Sequence, residues 1–180
     1  LIALMIFTGI REHEFVALKV ADLRVHYDKQ LALRVREGKG AKQRVVVYGT
    51  LAWCLEYVNR WLQDAGITSG AIFRGFWGAS TQIRPTAMSV RTVARILSNY
   101  PVLIDGEQHT VRPHDLRRTY ARIQHDSGMK AEALQQNMGH AAYDTTLGYI
   151  GDLDADARKS RATLPMPHAA YELKVNLEDD

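Results

Sequence analysis

Two short runs, LALRVRE at 31–37 and QRVVVYG at 43–49, alternate their side chains with a period of two and are joined by GKGAK. Glycine at the joint permits a tight turn, so this stretch predicts an antiparallel hairpin. Almost everything around it keeps the helical period instead. Residues 1–8 read as the end of a helix closed by Gly9, and Arg11–Leu18 as a second short helix with Phe15 and Leu18 inward. Thr50 is placed to cap a long helix ending at Gly66, in which Leu51, Cys54, Leu55, Val58, Trp61, Leu62 and Ala65 share one face. A short strand is expected at Ala71–Phe73, and Ser89 is expected to cap a helix with Val90, Val93, Ala94 and Leu97 inward, stopping before Pro101. Helices are further expected over Asp115–Asp126 closed by Gly128, Lys130–Met138 closed by Gly139, Asp144–Ile150 and Asp154–Leu164. A hairpin set among helices predicts one α+β domain, mostly helical with a small antiparallel sheet.

A chain of 180 residues has room for one sizeable core. Its single cysteine, Cys54, excludes an internal disulfide framework and a four-thiolate metal site, and suits a reducing compartment. The apolar opening LIALMIF is too short to span a bilayer and lacks the basic start of a signal peptide, so no membrane association is expected. Leu1 is expected to fall inside a helix of a longer protein. Net charge is +3, but residues 171–180 carry four acids and one Lys, which leaves +6 on residues 1–170. A basic body with an acidic tail permits a polyanionic partner.

Several residues have a chemical and a plainer reading. In RPHDLRRTYAR, His114 opens a helix and Arg117 follows at i+3 on the same face. Helix N-termini and arginine forks both hold phosphate, although a capping His on a solvated basic helix has the same spelling. In TGIREHE, Arg11 has Glu14 at i+3: either an ordinary ion pair, or a phosphate-binding guanidinium oriented by a carboxylate. Lys39, Lys42 and Arg44 lie on the hairpin, either solvated or able to protonate a leaving oxygen and touch phosphates. His140 reads as a helix-terminal His, and Tyr149, alone, as a packing residue. Taken together, two Arg, a Lys, two His and a Tyr are the groups that metal-free attack on a phosphodiester requires. Guanidiniums offset the phosphate charge, a Tyr hydroxyl attacks, and an acid protonates the departing sugar oxygen.

In this order the motifs resemble the catalytic domain of the tyrosine recombinases, also called phage-type integrases. TGIREHEFVAL is similar to the family's first Arg motif, GKGAKQRVV to its hairpin Lys motif, PHDLRRTYA to its His-x-x-Arg box, and MGHAAYDTTLGYI to its Gly-His…Tyr box. The resemblance covers roughly residues 1–164. It implies that Tyr149 is the nucleophile, forming a 3′-phosphotyrosyl link, and that Arg11 and Arg117 bind the scissile phosphate. It further implies that Lys39, rather than Lys42, is the general acid toward the 5′-hydroxyl, that His114 assists by proton transfer or hydrogen bonding, that His140 contacts the phosphate, and that Glu14 supports Arg11. Neither metal nor cofactor is expected, because the phosphotyrosyl ester conserves the bond's energy.

The implied partners are double-stranded DNA and further copies of the chain in a synaptic, tetrameric complex. The implied setting is the nucleoid of a bacterial cytoplasm, with a bacterial or phage gene. Lys42, Arg44, Arg91, Arg95 and Arg118 are expected DNA contacts, with a solvated face the alternative for Arg91 and Arg95. Residues 1–164 are expected to be the catalytic domain without an N-terminal core-binding domain, and therefore to bind DNA weakly and with strong salt dependence when isolated. Residues 165–180 are expected either to dock on a neighbouring protomer or to form a frayed acidic tail. Two other functions share this local chemistry or fold: a type IB topoisomerase-like enzyme without strand exchange, and a non-catalytic DNA-binding factor.

Overall fold

The computed structural model describes residues 1–36, 43–49, 52–78 and 80–139. The element order is α1 (Ile2–Thr8), α2 (Glu12–Ala17), a 3₁₀ turn (Val20–Asp22), β1 (Val25–Tyr27), β2 (Gln30–Val35), β3 (Arg44–Val47) and α3 (Cys54–Asp64). It continues with β4 (Arg74–Phe76), β5 (Ile83–Ala87), α4 (Val90–Ser98), β6 (Val102–Ile104), β7 (Glu107–His109), α5 (Pro113–Asp126) and α6 (Ala131–Met138). Strands pair antiparallel in a three-stranded sheet β1-β2-β3 and in two hairpins, β4-β5 and β6-β7. The expected α+β architecture is what forms.

The predicted hairpin is β2-β3, in register from Ala32 opposite Val47 to Val35 opposite Arg44. Its apolar face, with Leu33, Val35 and Val46, enters one buried cluster with Leu4 and Met5 of α1, Phe15 of α2, Cys54, Leu55 and Val58 of α3, and Val93 and Leu97 of α4. Phe15 stacks on Phe73 at a centroid distance of 4.2 Å, which ties α2 to the segment before β4. Each fully buried side chain of this size is worth about 1.5–3 kcal/mol over leaving it in water. A smaller cluster of Tyr120, Ala121, Leu134 and Met138 joins α5 to α6.

Differences from the sequence reading have local causes. The helix expected from Thr50 begins at Cys54 with Trp53 at its N-cap, and Thr50 and Leu51 lie outside the described residues. The strand expected at Ala71–Phe73 lies at Arg74–Phe76; Ala71 makes only a bridge to Lys19. On α4, Ser89 caps as expected, its Oγ accepting the Thr92 N–H, and Val93 and Leu97 are fully buried. Val90 and Ala94 are exposed instead, because the buried face turns toward Ile96. Helix α5 starts at Pro113, two residues early, since proline at the first position loses no intrahelical bond. The expected helices over 144–150 and 154–164, and the tail, lie outside the described residues.

Two glycines set the geometry that matters below. Gly9 ends α1 at φ +60°, and a Cβ there would overlap the Tyr120 ring of α5. Gly139 ends α6 at φ +62°, and a Cβ there would lie 2.8 Å from Nη1 of Arg44. Both positions need the left-handed region and a close approach, which only glycine offers.

Candidate functional site

Three arginines from three distant segments meet at the end of α6. Arg44 Nε donates to the Asn137 carbonyl at 2.7 Å, Arg117 Nη2 to the Met138 carbonyl, and Arg11 Nη2 to the Gly139 carbonyl at 3.0 Å. Successive carbonyls at a helix C-terminus lack intrahelical partners and carry the negative end of the helix dipole, so cations are favoured there. Arg117 Nη1 also donates to the Gly9 carbonyl, two residues before Arg11. One buried guanidinium thus joins the end of α1 to the end of α6. Arg117 is 3% exposed, which a permanent charge tolerates only when its donors are well used.

Glu14 organises the other two. Its carboxylate accepts the Arg11 backbone N–H at 2.8 Å, the reach-back that closes a helix N-terminus. It accepts a two-pronged fork from Arg44, Nη1 to Oε1 at 2.6 Å and Nη2 to Oε2 at 2.8 Å. Arg11 Nη1 reaches Oε1 at only 3.3 Å. Burial by itself pushes the Glu14 carboxyl up. The Arg44 hydrogen bonds and charge, then the Arg11 backbone hydrogen bond and charge, outweigh burial and hold it down at about 2. The carboxylate is therefore charged throughout the physiological range, against two guanidiniums beside it and a third on the neighbouring carbonyl.

The three arginines differ in exposure. Arg44 keeps 10% of its side-chain surface and Arg11 keeps 30%. Among the described residues Arg11 uses one donor on Glu14 and one on Gly139, leaving most of its N–H groups unengaged. It can take an anion without giving up its anchors.

The sequence-predicted residues fall into three groups. Arg11, Glu14 and Arg117 come together as described. Arg44, grouped in the sequence with the hairpin-tip lysines as a DNA contact, is turned inward and forked onto Glu14. His114 is exposed at the second position of α5; Arg118 is half-buried on the same helix, and Arg91 and Arg95 are exposed on α4. Lys39, Lys42, His140 and Tyr149 lie outside the described residues. Tyr120, which packs beside Gly9, is sealed in the interior, and burial pushes its phenol up despite a hydrogen bond with Asn137 and the charges of Arg44 and Arg117. Sequence reasoning missed the carbonyls of Asn137, Met138 and Gly139 and the inward role of Arg44. No local signal carries either, because the partners lie 21 to 128 residues away.

A second arginine fork flanks the same hairpin. Arg36, directly after β2, holds Asp22 through Nε at 2.8 and 2.9 Å and Nη2 at 2.7 Å, and Asp22 also accepts the Lys19 backbone N–H. The hydrogen bond and charge of Asp22 raise the Arg36 guanidinium further.

Comparison with known proteins gives a consistent set of likenesses. The family model described as "Phage integrase family" matches residues 1–155. Tyrosine recombinase XerC of Syntrophus aciditrophicus is 34% identical over 145 residues, covering 79% of this chain and 44% of that protein. Tyrosine recombinase XerA of Thermococcus onnurineus is 31% identical, covering 83% of this chain and 49% of that protein. The chain thus spans about half the length of the curated relatives it matches. Among solved structures, an XerA recombinase aligns with a TM-score of 0.62 at 25% identity, covering 90% of this chain and 57% of that one. A lambda integrase dimer bound to a COC′ core site aligns at 0.58 and 20% identity, covering 92% of this chain and 54% of that one, a likeness of fold.

Proposed function

Because the chain belongs to the phage integrase family, we propose that it carries the strand-cutting and rejoining centre of a site-specific DNA recombinase. One observation supports this most: Arg11, Arg44 and Arg117 gather on the carbonyls of residues 137–139, immediately ahead of His140 in the chain. A surplus of fixed positive charge, with a partly exposed guanidinium, suits a phosphate that becomes more negative as it is attacked.

In this reading Arg11 engages the non-bridging oxygens of the scissile phosphate, and Arg117 holds the frame around them and adds its charge. The Tyr149 hydroxyl attacks phosphorus and gives its proton to His114, forming a Tyr–O–P bond. The P–O5′ bond breaks, and Lys39 protonates the departing oxygen. The products are a 3′-phosphotyrosyl DNA and a free 5′-hydroxyl. A 5′-hydroxyl from another strand reverses the same steps, with no net change in bond energy. His140 hydrogen-bonds the phosphate. Arg118, Arg91, Arg95 and Lys42 touch flanking phosphates, where contacts position the duplex rather than read it. Double-stranded DNA is the substrate, further copies of the chain complete a synaptic tetramer, and the nucleoid of a bacterial cytoplasm is the setting. Among the described residues no helix is long and apolar enough to cross a membrane. Residues 1–164 form the catalytic unit and 165–180 a tail that docks on a neighbouring copy.

The test is a nicked duplex from which the cleaved end diffuses away, incubated with the full-length gene product in EDTA. A covalent adduct is expected, followed by joining to a second duplex when a 5′-hydroxyl strand is supplied. Adduct formation followed only by relaxation of supercoils would move the assignment to a topoisomerase. Tight binding without any adduct would make the chain a non-catalytic DNA-binding factor.

A further inference from the structure

Among the described residues Glu14 has two cationic neighbours, which it treats unequally. Arg44 holds both carboxylate oxygens at 2.6 and 2.8 Å, whereas Arg11 has one long contact at 3.3 Å. Arg44 also commits its Nε to the Asn137 carbonyl, so all three of its nitrogens are occupied. Gly139 leaves just enough room for it: any Cβ there would fall 2.8 Å from Nη1 and 3.1 Å from Cζ. The Glu14 side chain is 1% exposed and cannot turn to water for a partner. A buried carboxylate that loses one counter-ion takes the nearest other, and the nearest other is Arg11.

From this we propose that Arg44 is a positioning residue: by saturating Glu14 it keeps that carboxylate from capturing Arg11, whose donors then remain available to a phosphate. The proposal rests on the recombinase reading and extends it to a residue that touches no DNA. Without Arg44, the 3.3 Å contact closes into a two-pronged pair, so the Glu14 carboxylate offsets the Arg11 charge and takes up donors from its exposed edge. The defect is thus caused by Glu14 rather than by a missing Arg44 contact, and removing the Glu14 charge reverses it.

The test uses the full-length gene product and a short nicked duplex enriched on it from a random pool. Single-turnover adduct formation at saturating DNA is measured for wild type, Arg44→Gln, Glu14→Gln and the double variant, alongside the DNA Kd and thermal unfolding. Arg44→Gln is expected to slow the step by about 10–100-fold, below the full loss of a transition-state donor. Its Kd should stay nearly unchanged, because flanking phosphates supply most of the binding. Adding Glu14→Gln should restore the rate to within a few-fold of wild type. Arg44→Lys, which keeps the charge but not the fork, should fall between and serves if Arg44→Gln does not fold. A double variant as slow as Arg44→Gln, or a lost rate in Arg44→Lys that Glu14→Gln does not recover, overturns the proposal. So does an Arg44→Gln rate equal to wild type. A wild-type protein that binds the duplex but forms no adduct instead defeats the recombinase reading itself.

Discussion

The two sides of the β2-β3 loop are fastened by the same device and put to different use. Arg36 and Arg44 flank the loop, and each forks onto a buried acid. Each acid also accepts the backbone N–H three residues back, from Lys19 and Arg11 respectively. The Asp22 side pairs one arginine side chain with one acid, and Arg36 is nearly half exposed. The Glu14 side adds Arg11 and faces the α6 carbonyls, with Arg117 alongside, so it carries net positive charge. The first arrangement is a staple. The second contains the same staple with cations to spare, and surplus charge is what a phosphate can use.

Substitutions should separate the two sides. Arg117→Gln is expected to have the largest effect, slowing adduct formation by more than about 100-fold, as for loss of a charge-stabilising donor. Arg36→Gln should leave that rate within a few-fold of wild type while costing about 1–3 kcal/mol in urea unfolding, the penalty of an unmatched buried acid. Equal rate losses on both sides would erase the distinction.

Acid should expose the Glu14 staple next. Its carboxyl is held at about 2 against an ordinary 4.5. A group depressed on folding stabilises fully above its unfolded value and loses that contribution as pH falls toward the folded one. Stability on the order of 3 kcal/mol should therefore drain between pH 4.5 and pH 2. Glu14→Gln should flatten the wild-type slope in this window, as read from urea midpoints across the range.

Smaller effects distinguish the glycines. Gly139→Ala meets both a positive φ and the Arg44 guanidinium, and is expected to lower stability by about 2–3 kcal/mol and to slow adduct formation as well. Gly49→Ala, at φ +54° with nothing within 4 Å of the new Cβ, should cost only about 1 kcal/mol of backbone strain and leave the rate alone. Thermal melts together with cleavage rates check the pair.

Much of this was readable from local pattern. Gly9 and Gly139 announce their helix ends, the alternation at 31–37 and 43–49 announces the hairpin, and Arg11 with Glu14 at i+3 announces their ion pair. The other strand pairs, β1-β2, β4-β5 and β6-β7, were not read. Strand β6 has every residue exposed, so no apolar face marks it, although Asp105-Gly106 with φ of +52° and +84° is a tight-turn signal that points to it. The β1-β2 turn uses Asp28 and Lys29, both at positive φ, and although Asp tolerates that region, Lys at the second position gives no such signal. The direction of Arg44 was out of reach for a different reason. A cation on a hairpin looks solvated until the fold brings an acid from thirty residues earlier beneath it.

The most direct measurement is the chemistry of the trapped adduct. The full-length gene product is incubated with the nicked duplex, digested, and its nucleotide-bearing peptide sequenced by mass spectrometry. The account predicts a 3′-nucleotide on Tyr149, absent from Tyr149→Phe. A nucleotide on any other residue, or an adduct that survives Tyr149→Phe, would contradict it.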